Sequence, residues 1–301
     1  MPQARSLSAA TPIIVANLTR NALVRSSGTV TGTSQGNSAY IRDLAQNATS
    51  FALAHGEFAY LGANISGKYG VTLDGASTRG LISSSTFRNG YYGLYLNASA
   101  GNDLTGNNIY AGANDGIFIS GASNVLTGNN SYSNAGYGIR LDNGANYSLL
   151  TGNNSYSGAQ RAFIVYSSGN TLVRNRAFST VSYGIGLYIS SNNSLIENDA
   201  YANTSAGIGL VNASNNNILV GNDAYSGTSH GYYNDASVGN TLVGGNLGYD
   251  ASGAGLPNTT GDVYYETTVG AEGSVLKGVR VNPSPGVNVA GMNVAGSYLL
   301  S

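Results

Sequence analysis

The chain of 301 residues has no Cys, no Trp, five Pro, two His and only 9% charged side chains. Each shortage closes off a class of explanation. Without Cys there is no disulfide framework, no thiolate metal site and no cysteine nucleophile. The two histidines, His55 and His230, lie too far apart in the sequence to build a metal triad. Eleven Arg and two Lys are scattered and the net charge is −1, so there is no basic stripe to neutralise phosphates and nucleic acid is not an expected partner. No stretch approaches the roughly eighteen apolar residues of a membrane span, and the apolar run Pro12–Ala16 is too short for a secretory leader. An apolar content of 42% nonetheless exceeds what a disordered chain carries, and 43 Gly among many Asn and Ser oppose helix.

What is present is a repeat. Leucine returns every 22 to 24 residues, at Leu81, Leu104, Leu126, Leu150, Leu172, Leu195, Leu219 and Leu242. An asparagine follows three residues after six of them, at Asn107, Asn129, Asn153, Asn175, Asn198 and Asn222. An aromatic ring follows six residues after the first seven, at Phe87, Tyr110, Tyr132, Tyr156, Phe178, Tyr201 and Tyr225. Between repeats runs the pattern Gly, apolar, any, apolar, as in Ile117/Ile119, Ile139/Leu141 and Ile185/Leu187. That alternation sends two side chains per coil to one interior, and a fixed period of this size marks a solenoid whose repeats bury their apolar faces only by stacking. Equivalent residues then form columns about 4.8 Å apart, Leu on Leu and Asn on Asn.

The run Asn-x-Leu-x-Gly-Asn at Asn102–Asn107, Asn124–Asn129 and Asn217–Asn222, followed by an aromatic and then Gly-Ile-x-Leu, resembles the right-handed parallel β-helix repeats of the pectate-lyase-like superfamily, most nearly its NosD-type branch and related archaeal and bacterial surface proteins. The resemblance covers residues 65–250. It implies an all-β right-handed parallel β-helix of about eight or more coils. Enzymes of that superfamily use clustered carboxylates, a basic residue and often calcium on polysaccharides; the copper association of the NosD branch finds no evident ligands here. Residues 1–60 are expected to form an N-terminal cap with degenerate coils, 61–254 the β-helix, and 255–301 a C-terminal β segment or assembly arm that includes an uncharged stretch from Val281 to Ser301.

Folding the sequence on its own period exposes the candidate sites. Asp199 and Asp223 fall at equivalent places, with Arg176 one coil below; Arg174 and Glu197 form a second basic-acidic pair. Cross-strand ion pairing accounts for both, with a cation site at the two aspartates as the sharper alternative. His230 reads as a surface turn residue. The outward position of the Gly-apolar-x-apolar strand carries Tyr95, Phe118 and Ile164, read as an apolar strip that forms a protein interface, with burial under a terminal segment and stacking of sugar rings as the alternatives. Eleven Asn-x-Ser/Thr sequons occur; Asn97, Asn146, Asn203 and Asn212 are the expected glycan acceptors, whereas Asn129 and Asn153 belong to the ladder.

No cofactor, metal site or catalytic set is expected. The leading expectation is a noncatalytic extracellular or cell-surface structural protein that associates with identical copies into an oligomer, filament or surface layer, possibly carrying glycans. The alternative is a polysaccharide-binding or polysaccharide-cleaving β-helix protein, tailspike-like ones included. A metal-delivery accessory factor is the third reading.

Overall fold

A computed structural model describes residues 22–26, 38–44, 51–250, 252–265, 273–281 and 299–300. Their strands fall into three sheets of eleven, ten and eleven strands, which the chain visits in rotation. We call them A, B and C in the order met, starting at Ala22–Arg25, Ile41–Asp43 and Phe51–Ala54. All strand pairing within them is parallel and each strand pairs with its equivalent one coil away, so the described body is a parallel β-solenoid without helix.

The three-residue strands are short enough that each sends one side chain inward on sheets A and C and two on sheet B. On sheet C that residue is the leucine: Leu104, Leu126, Leu150, Leu172, Leu195, Leu219 and Leu242 are register partners, each 0 to 2% exposed. Sheet B contributes the expected pairs from Val71/Leu73 to Ile208/Leu210, all buried. In the next coil Asn234 takes the place of an inward leucine, fully buried, with only its Nδ2 bonded, to Ser237 O. Sheet A inserts a small residue or Ile, such as Ser131, Ser155 and Ala200. The glycine that opens sheet B turns the corner against these residues: a Cβ on Gly138 would lie 1.7 Å from Ser155 Oγ, and one on Gly116 2.0 Å from Ser131 Oγ.

The asparagine column is a continuous wire of amides. In Asn107, Asn129, Asn153, Asn175 and Asn198 the Nδ2 donates to Oδ1 of the asparagine one coil on, at 2.9 to 3.0 Å. The backbone N–H of each donates to the same oxygen. The second Nδ2 proton goes to the sheet C carbonyl one coil back, Leu104 O in the case of Asn129. Every polar atom of the buried amide is therefore used, which is the condition for burying it without loss. A second file of this kind runs at the corner between B and C through Asn102, Asn124, Asn170, Asn193, Asn217 and Asn240, with Ser148 bridging the gap.

Two expected column members are displaced. Ile82, not Leu81, pairs with Leu104, and Leu81 is 47% exposed. The first full coil is registered by the amide wire, because Ser85 N–H donates to Asn107 Oδ1, and this aligns Ile82, Ser85 and Arg88 with Leu104, Asn107 and Tyr110. Phe87 consequently points inward and stacks on Phe58 at 4.9 Å. Strands before residue 60 join all three sheets, and Gly261–Tyr265, Val275–Lys277 and Arg280–Val281 extend them beyond residue 254. Of the uncharged terminal stretch, Leu299–Leu300 pairs with the Val275–Lys277 strand, while 282–298 lie outside the described residues, as does the Pro12–Ala16 run.

Candidate functional site

A β-solenoid offers function only on its outer faces, and the three differ. Sheet A carries the aromatic column, and it faces out. Tyr110, Tyr132, Tyr156, Phe178, Tyr201 and Tyr225 stack nearly parallel with centroids 4.7 to 5.1 Å apart, so each ring covers its neighbours' faces and shows solvent its edge. Beside it run Asn108, Asn130, Asn154, Arg176, Asp199 and Asp223. The two aspartates are register partners. Asp223 Oδ1 accepts from Asn246 N–H and Nδ2, both at 2.8 Å, and Arg176 Nε stands 3.7 Å from Asp199. Partial burial first, and then the Asp223 charge, raise the Asp199 carboxyl above its ordinary range. Among the described residues no three metal-ligating side chains converge. The second pair forms as well, with Arg174 Nε 2.6 Å from Glu197.

Sheet B is different in kind. The expected apolar strip is not exposed: Phe118 and Ile164 are 7% and 1% accessible and Tyr95 is half-buried. The side chain preceding each corner glycine folds back over the sheet and covers the next coil. Tyr69 packs on Tyr95 and Tyr92 on Phe118. Where those side chains are long the position beneath is bare, since a Cβ on Gly186 would meet Arg161 Cδ at 3.2 Å and one on Gly209 the Tyr183 ring at 2.9 Å. The column that runs from bulky Tyr95 to bare Gly209 thus complements what lies above it.

At the centre of this cover stands Arg140, whose guanidinium lies over the rings of Phe118, Tyr137 and Tyr166 at 5.2 to 5.7 Å. Its Nη2 donates to Asp142 at 2.9 Å, and its Nη1 is 3.9 Å from Asp115. Asp115 is 2% exposed; its Oδ1 accepts from Tyr137 N–H, and burial raises its carboxyl to about 6 against the pull of that bond and of Arg140. Burial likewise holds the Tyr92 phenol well above its ordinary range and Tyr166 at about 12, so at neutral pH both are donors and not bases. Thr72 Oγ1, Asp115 Oδ2, Arg140 Nε and Arg161 Nε are all buried with no hydrogen-bond partner among the described residues. All four belong to sheet B's outer side. Such atoms in a native structure call for an explanation, a bound polar group being one. Along the corner leading into this face runs a shallow groove of about 540 Å³ floored by small residues, among them Gly112, Ala135 and Gly158.

The sequence pointed to the columns but not to this cluster. Its signal was present: between Thr72 and Gly209 Arg140 is the one charge in the outward column, beside corner positions holding Tyr92, Asp115, Tyr137 and Arg161. His230 is not a free surface residue either. It is half-buried beside the stacked Tyr233 and Tyr264 rings, and burial lowers its imidazole. Of the glycan acceptors, Asn97 and Asn212 are exposed and Asn146 is half-buried. Asn203 is 1% exposed, with Oδ1 taking the Thr180 hydroxyl at 2.9 Å, so the folded chain cannot present it to a glycosylating enzyme.

A model of the right-handed β-helix region matches residues 61–200 and 115–267. The chain belongs to that family. No curated protein matches it. Among solved structures it is similar to the periplasmic alginate epimerase AlgG, at 21% identity and a TM-score of 0.61 over 83% of this chain and 66% of that one, just under two thirds of that protein's length. It is also similar to the A-module of the Azotobacter vinelandii mannuronan C-5 epimerase AlgE4 (13%, TM-score 0.64, 93% of this chain and 89% of that one). A third is the Dettilon tailspike protein (17%, 0.60, 92% and 60%). At these identities the likeness is one of fold.

Proposed function

We propose that this member of the right-handed β-helix family is a polysaccharide-binding protein whose outer face of sheet B grips an acidic glycan. The observation that carries the reading is the buried, unpartnered polar atoms of Thr72, Asp115, Arg140 and Arg161 set among tyrosines. Sugar rings combine an apolar face with a rim of hydroxyls, which phenols and guanidinium groups match. Arg140 supplies a fork that pairs with a carboxylate, held in shape by its three rings. That the epimerases and the tailspike share this fold is consistent with the reading and adds nothing about these residues. It replaces the structural-filament expectation as the leading one, because the apolar strip that motivated an end-to-end rod is covered.

Binding is favoured over cleavage on chemical grounds. Proton abstraction beside a uronate carboxylate needs a base near the group that neutralises the carboxylate. Tyr92 and Tyr166 stay protonated, Asp115 is enclosed, and His230 stands four coils from Arg140, roughly 19 Å at strand spacing. Titration calorimetry against polyuronates and neutral glucans tests this. Polyuronate binding that weakens with salt and falls roughly tenfold in Arg140→Gln is expected. No binding, or binding untouched by that substitution, would sink it, and unsaturated sugar ends released on incubation would replace it with a lyase.

A further inference from the structure

The outer face of sheet C has no counterpart of this polar cluster. From Val125 to Val243 its twelve outward side chains, two per strand, are all Val, Leu, Ile, Thr or Ser. No described segment lies over them: Leu149 is 38%, Ile218 49% and Val220 38% exposed, and most of the others are half-buried by their neighbours in the sheet. Beyond each strand the chain turns through a left-handed residue, Gly106, Gly128, Gly152, Gly221 and Gly244 in five coils, so the rim stays low. In the two coils between, that place is taken by Arg174 and Glu197, at φ of 51° and 52°. An L residue in that conformation costs roughly 1–2 kcal/mol, and an ion pair as exposed as theirs returns at most about 1. Left-handed L residues recur elsewhere in the solenoid, as at Ala111, Ser133 and Ser157, but from Gly106 to Gly244 only these two coils carry one at this place, and both are long and charged.

We infer that sheet C's outer face is a homodimer interface against which a second copy packs face to face with its rod antiparallel. The pattern of charge selects this occupant. One positive and one negative residue on adjacent coils, at the edge of an otherwise neutral strip, form a set that is its own complement when inverted about a two-fold axis crossing the rods between those coils. Arg174 then meets Glu197 of the second copy, and the reverse pair forms beside it, as an isologous contact requires. Parallel rods would bring neutral positions against both charges. Two flat β-branched faces also pack as sheets do in a sandwich, about 10 Å apart. Six strands give a strip roughly 29 Å long and 13 Å wide, small for a specific interface, so the dimer is weak and exchanging.

Sedimentation velocity on the full chain from micromolar to millimolar concentration tests this, and neither the measurement nor the variants touch Arg140. A monomer–dimer equilibrium is expected, weakened roughly tenfold or more by Ile218→Glu. Arg174→Glu and Glu197→Arg should each associate poorly with themselves, one face being all negative and the other all positive, while their equimolar mixture recovers wild-type association. A wild-type chain that stays monomeric throughout overturns the inference, as does a dimer indifferent to Ile218→Glu or a mixture no better than its parts. Assembly beyond a dimer that survives Ile218→Glu would move the contact to another surface and equally overturn it.

Discussion

Sheets B and C are made by the same coils, with the same inward aliphatic columns, yet their outer faces follow opposite rules. On sheet B the chain spends side chains covering itself: tyrosines and arginines from one coil lie over the next, bury Phe118 and Ile164, and leave charged atoms without partners. On sheet C no described segment lies over the strands, and Leu149, Ile218 and Val220 stand open beside a rim made mostly of glycine. Stability needs neither arrangement, since both faces point away from the core. The difference shows that a solenoid's interior and surface are specified separately, and that what distinguishes one face from another is what flanks the strand.

The contrast breaks most sharply at a pair of isoleucines. Ile164→Asp puts a carboxylate at a position only 1% exposed and should cost about 3 kcal/mol or more, whereas Ile218→Asp on the open face should cost under about 1. Urea unfolding of the two variants at low protein concentration checks this; similar losses would mean that the two faces are not differently enclosed.

Asp115 provides the next largest effect. Folding raises this carboxyl to about 6, so between its unfolded value and that one the native state binds more protons. Stability should therefore decrease as pH rises through about 4 to 6, and the stability present in acid is absent at neutral pH. Asp115→Asn should remove that slope and leave the chain up to about 2 kcal/mol more stable than wild type at pH 7. Thermal melts across the window decide it: a slope that survives the substitution belongs to another group.

A smaller change is expected at the rim of sheet C. Replacing both Arg174 and Glu197 by Gly relieves two left-handed residues and removes one exposed ion pair, for a net gain of about 1 kcal/mol in the monomer. Smallest is Gly186→Ala on sheet B, where the added Cβ meets the mobile stem of Arg161 at 3.2 Å. It should cost about 0.5–1 kcal/mol and, by lifting that side chain, change glycan affinity more than stability; unfolding and binding measured on one sample separate the two.

The core was legible because it is periodic. Any residue from Leu104 to Leu242 could be assigned to the inside by counting, and Asn107 to Asn222 followed. Counting failed at Leu81 and Phe87, where two adjacent apolar residues, Leu81 and Ile82, left the phase open and only the bond from Ser85 to the amide wire set it. It failed again on the surface. Exposure of Tyr95, Phe118 and Ile164 was inferred from strand alternation alone, but side chains entering from the adjacent corner decide what is covered. The candidate site around Arg140 stayed hidden for the same reason: Thr72, Asp115, Arg140 and Arg161 come from four coils and two kinds of position, and no single column contains them. Asn203 shows the limit of motifs, since its sequon is intact and its amide is committed to the Thr180 hydroxyl and the Ala177 carbonyl.

The amide wire has a direction. From Asn107 to Asn222 each carboxamide turns its oxygen toward the N-terminal coil and its nitrogen toward the C-terminal one. Dipoles aligned in this way add and polarise one another, so the rod is vectorial, like a bar magnet in electrostatic form. Reversing a single carboxamide would set oxygen against oxygen and nitrogen against nitrogen with the residues on either side. Polarity is thus passed from coil to coil, and the orientation of the first amide dictates that of the last.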